Sequence, residues 1–142
     1  MSIWQGNPTL REINHRGSNT LVSHLKIKVT ELKSDCLIGI MPVDSTTKQP
    51  AGLLHGGASC VLAETLGSTA ANMCIDRKKF IAVGLEINAN HIRSATSGTV
   101  TGIAKPLHIG RSTQVWEIVI KDENDRLICV SRLTMAIKEL KR

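Results

Sequence analysis

One acid, Glu64, interrupts the run 56-GGASCVLAETLGSTAANMCI-75, where its neighbours are Val61, Leu62, Ala63, Leu66 and Ala70. A carboxylate in such a setting is expensive to bury unless it is paired or put to use. Ser68 follows four residues later, on the same face if the run is helical. The run opens on 55-HGG-57, and Gln49 lies just upstream on a stretch rich in Pro and Gly. Two glycines at a helix start expose N–H groups that have no intrahelical acceptor, at the positive end of the helix. That is an anion site, and therefore also a site for a developing oxyanion. Glu64, His55, Gln49, Ser68 and the Gly56 N–H together supply what acyl transfer to water needs. They offer a base or nucleophile, donors to polarise a carbonyl, and groups to orient water and leaving group. Each residue also has a structural reading: Glu64 as a core acid paired with a lysine or a backbone donor, and His55 as a simple helix cap.

The elements around this device follow from periodicity. Residues 8–16 read as a short helix, with Thr9 as N-cap and Glu12 at the capping-box position. A further helical turn is expected at 19–24. Leu25, Ile27 and Val29 alternate with Lys26, Lys28 and Thr30, the pattern of a half-buried strand over 25–32. A turn at Lys33–Asp35 leads to a second strand over 36–43. The long helix is expected over 56–75 and a polar break at Asp76–Lys79. Strands are expected over 80–94, 98–105, 111–121 and 126–138, with turns at Thr96–Gly98, His108–Gly110 and Asp122–Asp125. Trp116, Ile118 and Ile120 share one face; Leu127, Cys129, Ser131, Leu133, Met135 and Ile137 share another. One apolar helix among strands is buried by a mostly antiparallel sheet curled around it, an α+β domain spanning 1–142. Gly67 inside the helix points to a close approach there by backbone or ligand.

Composition narrows the field. The chain of 142 residues is long enough for one proper core. It has neither a membrane-length apolar run nor a recognisable leader, so a cytoplasmic location is expected. Four cysteines, Cys36, Cys60, Cys74 and Cys129, form no CxxC pair and read as small core residues, and no metal site is expected. The net charge of +6 admits a polyanionic partner. Nucleic acid is disfavoured because the basic residues are dispersed and only Trp4, Phe80 and Trp116 could stack on bases. A phosphorylated small molecule accounts for the charge equally well.

The run 41-MPVDSTTKQPAGLLHGGASCVLAETLGS-68 resembles the hotdog-fold acyl-CoA thioesterases, and 83-VGLEINANHIRSA-95, 105-KPLHIGR-111, 114-QVWEIVI-120 and 132-RLTMAI-137 extend the likeness over nearly the whole chain. It is similar to the branch acting on aromatic acyl-CoA thioesters, such as 1,4-dihydroxy-2-naphthoyl-CoA of menaquinone biosynthesis or a benzoyl-type CoA, and including an enterobactin-proofreading thioesterase. The resemblance implies a long helix wrapped by an antiparallel sheet, dimers paired into tetramers, and active sites at the dimer interface. Glu64 then comes from one subunit, as general base or nucleophile. Gln49, His55 and Gly56 come from its neighbour, and Ser68 holds water or the acyl group. It also implies that Asn90, His91, Arg93, Gly110, Arg111 and Ser112 lie near the CoA, which is part of the substrate, with no separate cofactor. The chain departs from the resemblance at Ala51, where such proteins usually carry Phe after Gln-Pro. Other readings are an acyl or aryl carrier-protein substrate, a non-catalytic acyl-CoA binder, and a dehydratase on the same fold. The intact Glu64, and a segment before the first strand too short for a helix-turn-helix domain, weigh against the binder. The HGG–Glu–Ser pattern favours hydrolysis over dehydration.

Overall fold

In a computed structural model describing residues 1–141, the chain runs α1 (Leu10–Arg16), α2 (Leu21–His24), β1 (Lys28–Leu32), β2 (Leu37–Pro42), α3 (Gly56–Met73), β3 (Phe80–His91), β4 (Thr99–Ile109), β5 (Thr113–Lys121) and β6 (Leu127–Glu139). Six strands form one antiparallel sheet in the order β1-β2-β4-β5-β6-β3. Helix α3 packs across β2 to β6, so the sheet cradles a single helix as the apolar pattern requires. No helix among the described residues is long and apolar enough to cross a membrane.

The core forms where the alternating faces meet the helix. Trp116, Ile118, Ile120, Cys129, Leu133 and Met135 are fully enclosed, as are Leu62, Ala63, Leu66, Ala70 and Ala71 of α3. Leu66 fixes the helix height. A Cβ on either Gly39 or Gly102, which face each other across β2 and β4, would lie 2.7 Å from a Leu66 methyl. At Gly67 the close approach is made by sheet side chains: a Cβ there would sit 2.6 Å from a methyl of Leu133 and 3.3 Å from one of Ile118. The close approach that its position implies is sheet side chain against helix backbone.

Thr9 and Glu12 make the expected capping box. Asn14 then donates to the Val29 carbonyl and accepts from the Val29 N–H, both at 2.9 Å, which fastens α1 to the outer edge of β1. Asn72 does the same at the opposite edge, pairing with the N–H and carbonyl of Ala82 in β3. The buried Gln114 accepts from the Trp116 indole at 2.8 Å. All four cysteines are free. Burial pushes the Cys74 thiol up to about 12 and the Cys129 thiol up to about 11, so both stay protonated near neutrality.

Several boundaries differ from those read in the sequence. β4 continues to Ile109, because a bulge between Pro106 and His108 lets the strand pass a residue that lacks an N–H. His108 and Ile109 are therefore strand, and the β4–β5 turn is shorter than expected. β1 starts at Lys28, since Leu25 caps α2 and Lys26 takes a positive φ of 57°. Leu25 and Ile27 are buried all the same, as their alternation requires. Helix α3 stops at Met73 and β3 at His91, short of the expected 75 and 94.

Replacing Gly67 by Val puts three carbons into a space already filled by Leu133 and Ile118. The expected loss, about 1–3 kcal/mol, is checked by urea unfolding as a lower midpoint at unchanged slope.

Candidate active site

The loop between β2 and α3 is pinned at several points. Asp44 accepts from Lys26 and from the Thr46 hydroxyl and N–H, which hold its carboxyl down at about 2. The enclosed Thr47 donates its hydroxyl to the Pro42 carbonyl. The Gln49 N–H reaches the Leu53 carbonyl at 2.8 Å, the Leu54 N–H reaches Ala95, and the His55 N–H reaches Thr47. Gly52 closes the turn with φ +83°, a conformation that β-branched or bulky residues avoid. The Gln49 side-chain carbonyl accepts from the Ala51 N–H, which leaves its NH₂ as the free end.

His55 does cap α3. Its Nδ1 accepts from the Gly57 N–H at 2.8 Å, and its carbonyl accepts from the Ala58 and Ser59 N–H groups. With Nδ1 used as an acceptor, the neutral ring carries its proton on Nε2 and presents a donor to solvent. The structural and functional readings of His55 thus coincide: the cap fixes the tautomer. The Gly56 N–H is the first of the helix and has no intrahelical acceptor. A Cβ at Gly56 would lie 2.8 Å from His91 Nε2. The end of β3 therefore closes onto the helix start.

A cleft of about 230 Å³ collects Gln49, Gly56, Ser59, His91 and Arg93. Four of these five were expected at the site; Ser59 was not. His91, which its strand position assigned to the CoA rim, stands directly against Gly56.

Glu64 corrects the premise drawn from its neighbours. In the single chain it is exposed, because it projects from the face of α3 opposite the enclosed Ala63 and Leu66. It still has a defined seat. A Cβ on Gly84 would be 2.9 Å from Glu64 Oε1. Gly84 lies at a bulge of β3, where the register slips between Gly84 and Glu86. Bulges recur beside active sites, where they re-aim a side chain. An isolated glycine in a strand pattern was the available signal for this contact. Glu64 also raises the Cys60 thiol, though less than burial does.

Ser68 is half-buried and lines a second cavity of about 970 Å³, between α1 and α3, together with Thr65, Ile13, Val22 and Met73. Asn90 is exposed near the end of β3. Gly110, Arg111 and Ser112 form the β4–β5 hairpin tip, where the Gly110 N–H bonds the Thr113 carbonyl and the Ser112 carbonyl accepts from Ile137. None of these three lines either cavity. One chain thus gathers Gln49, His55, Gly56, His91 and Arg93 at the helix start, and holds Glu64 and Ser68 further along.

The thioesterase superfamily model matches residues 51–129, more than half of the chain. The chain belongs to the thioesterase superfamily. It is 53% identical over 135 residues to the 1,4-dihydroxy-2-naphthoyl-CoA hydrolase of Escherichia coli, covering 95% of this chain and 98% of that one. It is 50% identical over 135 residues to the proofreading thioesterase EntH of Cronobacter turicensis, with the same coverage. Among solved structures, a mutant thioesterase from Pseudomonas aeruginosa superposes with a TM-score of 0.97 at 45% identity, covering 98% of this chain and all of that one. A thioesterase from Haemophilus influenzae gives 0.95 at 46% identity, covering 99% and 97%. The sheet wrapped on α3 is the hotdog fold of this superfamily, and the protein is a thioester hydrolase.

Gly84→Ala tests the seat of Glu64. The added methyl displaces Oε1 while Gly84 itself is exposed, so thioester hydrolysis is expected to fall about tenfold or more. Melting temperature should stay close to that of wild type.

Proposed function

We propose that the protein hydrolyses aromatic acyl-CoA thioesters to the free acid and CoA, with 1,4-dihydroxy-2-naphthoyl-CoA as the leading substrate. Each site is shared by two copies of the chain. The carrying observation is the separation of the groups. Glu64 lies eight residues along α3 from Gly56, about 12 Å by helical rise. Gly84, its seat, lies seven residues from His91, about 23 Å along the strand. A thioester carbonyl held by the Gly56 N–H is out of reach of Glu64 in the same chain. A second copy, antiparallel across β3, brings its own Glu64 opposite Gly56. β3 supports that pairing. It is a twelve-residue edge strand whose outer face exposes Ile81, Val83 and Leu85. Dimers joined in this way can pair again into a tetramer.

In this reading the Gly56 N–H binds the carbonyl oxygen and stabilises the oxyanion. Glu64 activates water or itself adds to the acyl carbon. Both routes add the elements of water across the C–S bond, leaving a carboxylic acid and the CoA thiol. The Gln49 NH₂ and His55 Nε2–H orient the thioester and favour departure of the thiolate. Ser68 lies four residues beyond Glu64 and borders the larger cavity, whose walls join apolar Ile13, Val22 and Met73 to the Thr65 and Ser68 hydroxyls and to a charged margin at Glu12, Arg16, Arg77 and Lys78. Its apolar part suits an aromatic acyl group. Arg93, at the cleft, and Arg111 are assigned to the phosphates of CoA, with Asn90, His91, Gly110 and Ser112 along its path. The route draws on the chain's own groups and water, so no cofactor is invoked beyond the CoA of the substrate. A cytoplasmic site of action fits a CoA substrate.

The net charge of +6 and the likeness to a proofreading thioesterase favour one second reading, aryl groups carried on the phosphopantetheine arm of an acidic carrier protein. A hydrolysis rate that falls with salt for the carrier-bound thioester, but not for the CoA thioester, would select it.

Thiol release from aromatic, short aliphatic and long aliphatic acyl-CoA thioesters tests the main reading. Wild type should prefer the aromatic members, and Glu64→Ala should lose a hundredfold or more in kcat. Retained turnover in the variant would remove Glu64 from its role. Subunit mixing tests the shared site. Glu64→Ala and Gln49→Ala, each inactive alone, should regain activity when unfolded and refolded together. No recovery would mean that both groups act within one chain.

A further inference from the structure

Ser59 is 2% exposed, yet its hydroxyl makes no hydrogen bond among the described residues. No fully enclosed side-chain polar atom among the described residues lacks a partner, so the small part of Ser59 that stays open includes its hydroxyl. The usual outlet for a helical serine is the carbonyl four residues back. Here that carbonyl, of His55, already accepts from the N–H groups of Ala58 and Ser59. Ser59 instead borders the 230 Å³ cleft, beside Gly56 and His91. It stands three residues after Gly56 and so shares that face of α3. The Cα–Cβ bonds of a helix tilt toward its N-terminus, so the Ser59 side chain leans back over the turn that begins with Gly56.

We propose that Ser59 is a catalytic residue, the second donor to the thioester oxygen beside the Gly56 N–H. The inference rests on the thioesterase reading above. As water or Glu64 adds to the acyl carbon, the carbonyl π electrons move onto oxygen. The hydroxyl and the backbone N–H share that charge until the C–S bond breaks and the carbonyl re-forms. Ser59 gives up no proton in the step. Its hydroxyl opens onto the cleft with no protein partner, ready for charge that appears only during reaction. His91, packed against Gly56, walls this small chamber on the β3 side.

The test is Ser59→Ala, in wild type and in Glu64→Ala. In the first background kcat for an aromatic acyl-CoA is expected to fall about a hundredfold. In the second, which binds without turnover, the dissociation constant of the same acyl-CoA by calorimetry should change less than twofold. The melting temperature should stay close to that of wild type, because the hydroxyl holds no hydrogen bond to the described residues and opens onto the cleft. That combination separates a donor from a packing residue, which would lower stability and leave kcat near wild type. A kcat within threefold of wild type overturns the inference while the thioesterase reading stands. So does a loss of binding equal to the loss of kcat, or a fall in melting temperature that accounts for lost activity. If wild type cleaves no acyl-CoA thioester, both readings fall together.

Discussion

The contact on which the rest depends is Leu66 in its socket. Gly39 and Gly102 face each other on β2 and β4, and the absence of side chains at both lets one leucine sink between the strands. Gly67, next along the helix, lets Leu133 and Ile118 reach the helix backbone. Helix and sheet therefore interlock at one height and one rotation. With that settled, the face carrying Gly56, Cys60, Glu64 and Ser68 has only one direction to point. Interiors packed to crystal density transmit such a constraint without slack.

The two ends of the device are set by different means. At the helix start, backbone and side-chain hydrogen bonds tie the loop to Thr47, Leu53 and Ala95, and the His55 ring closes the first turn. At the middle of the helix the seat is a void: Gly84, at a bulge, leaves room for a carboxylate oxygen. Hydrogen bonding makes one end rigid, and a missing side chain makes room at the other. Both are cheap in sequence terms and hard to replace by larger residues.

Much of this was legible in the sequence, because periodicity reports burial. The alternation in β5 and β6 marked Trp116, Ile118, Ile120, Leu133 and Met135 as core, and all are enclosed. Capping chemistry at Thr9 is local and was read correctly. The exposure of Glu64 was not legible. Its apolar sequence neighbours lie on other sides of the helix, and a linear window averages over them. Ser59 was missed for a related reason. It is one small polar residue in a helix of small residues, and only its place on the wall of a cleft sets it apart. The end of β4 was misread because Pro106 and Gly110 look like a turn, while a bulge carries the strand past the proline.

The two asparagines deserve a last consequence. Asn14 occupies the edge of β1 at Val29, and that strand is only five residues long and bulged. Asn72 occupies the edge of β3 at Ala82 alone, leaving the longer part of a twelve-residue strand open. The sheet is thus one-sided as a polymerisation unit. The short, bulged and asparagine-capped β1 edge is the poorer template for another strand, so an association through β3 would leave little edge for a further copy to extend.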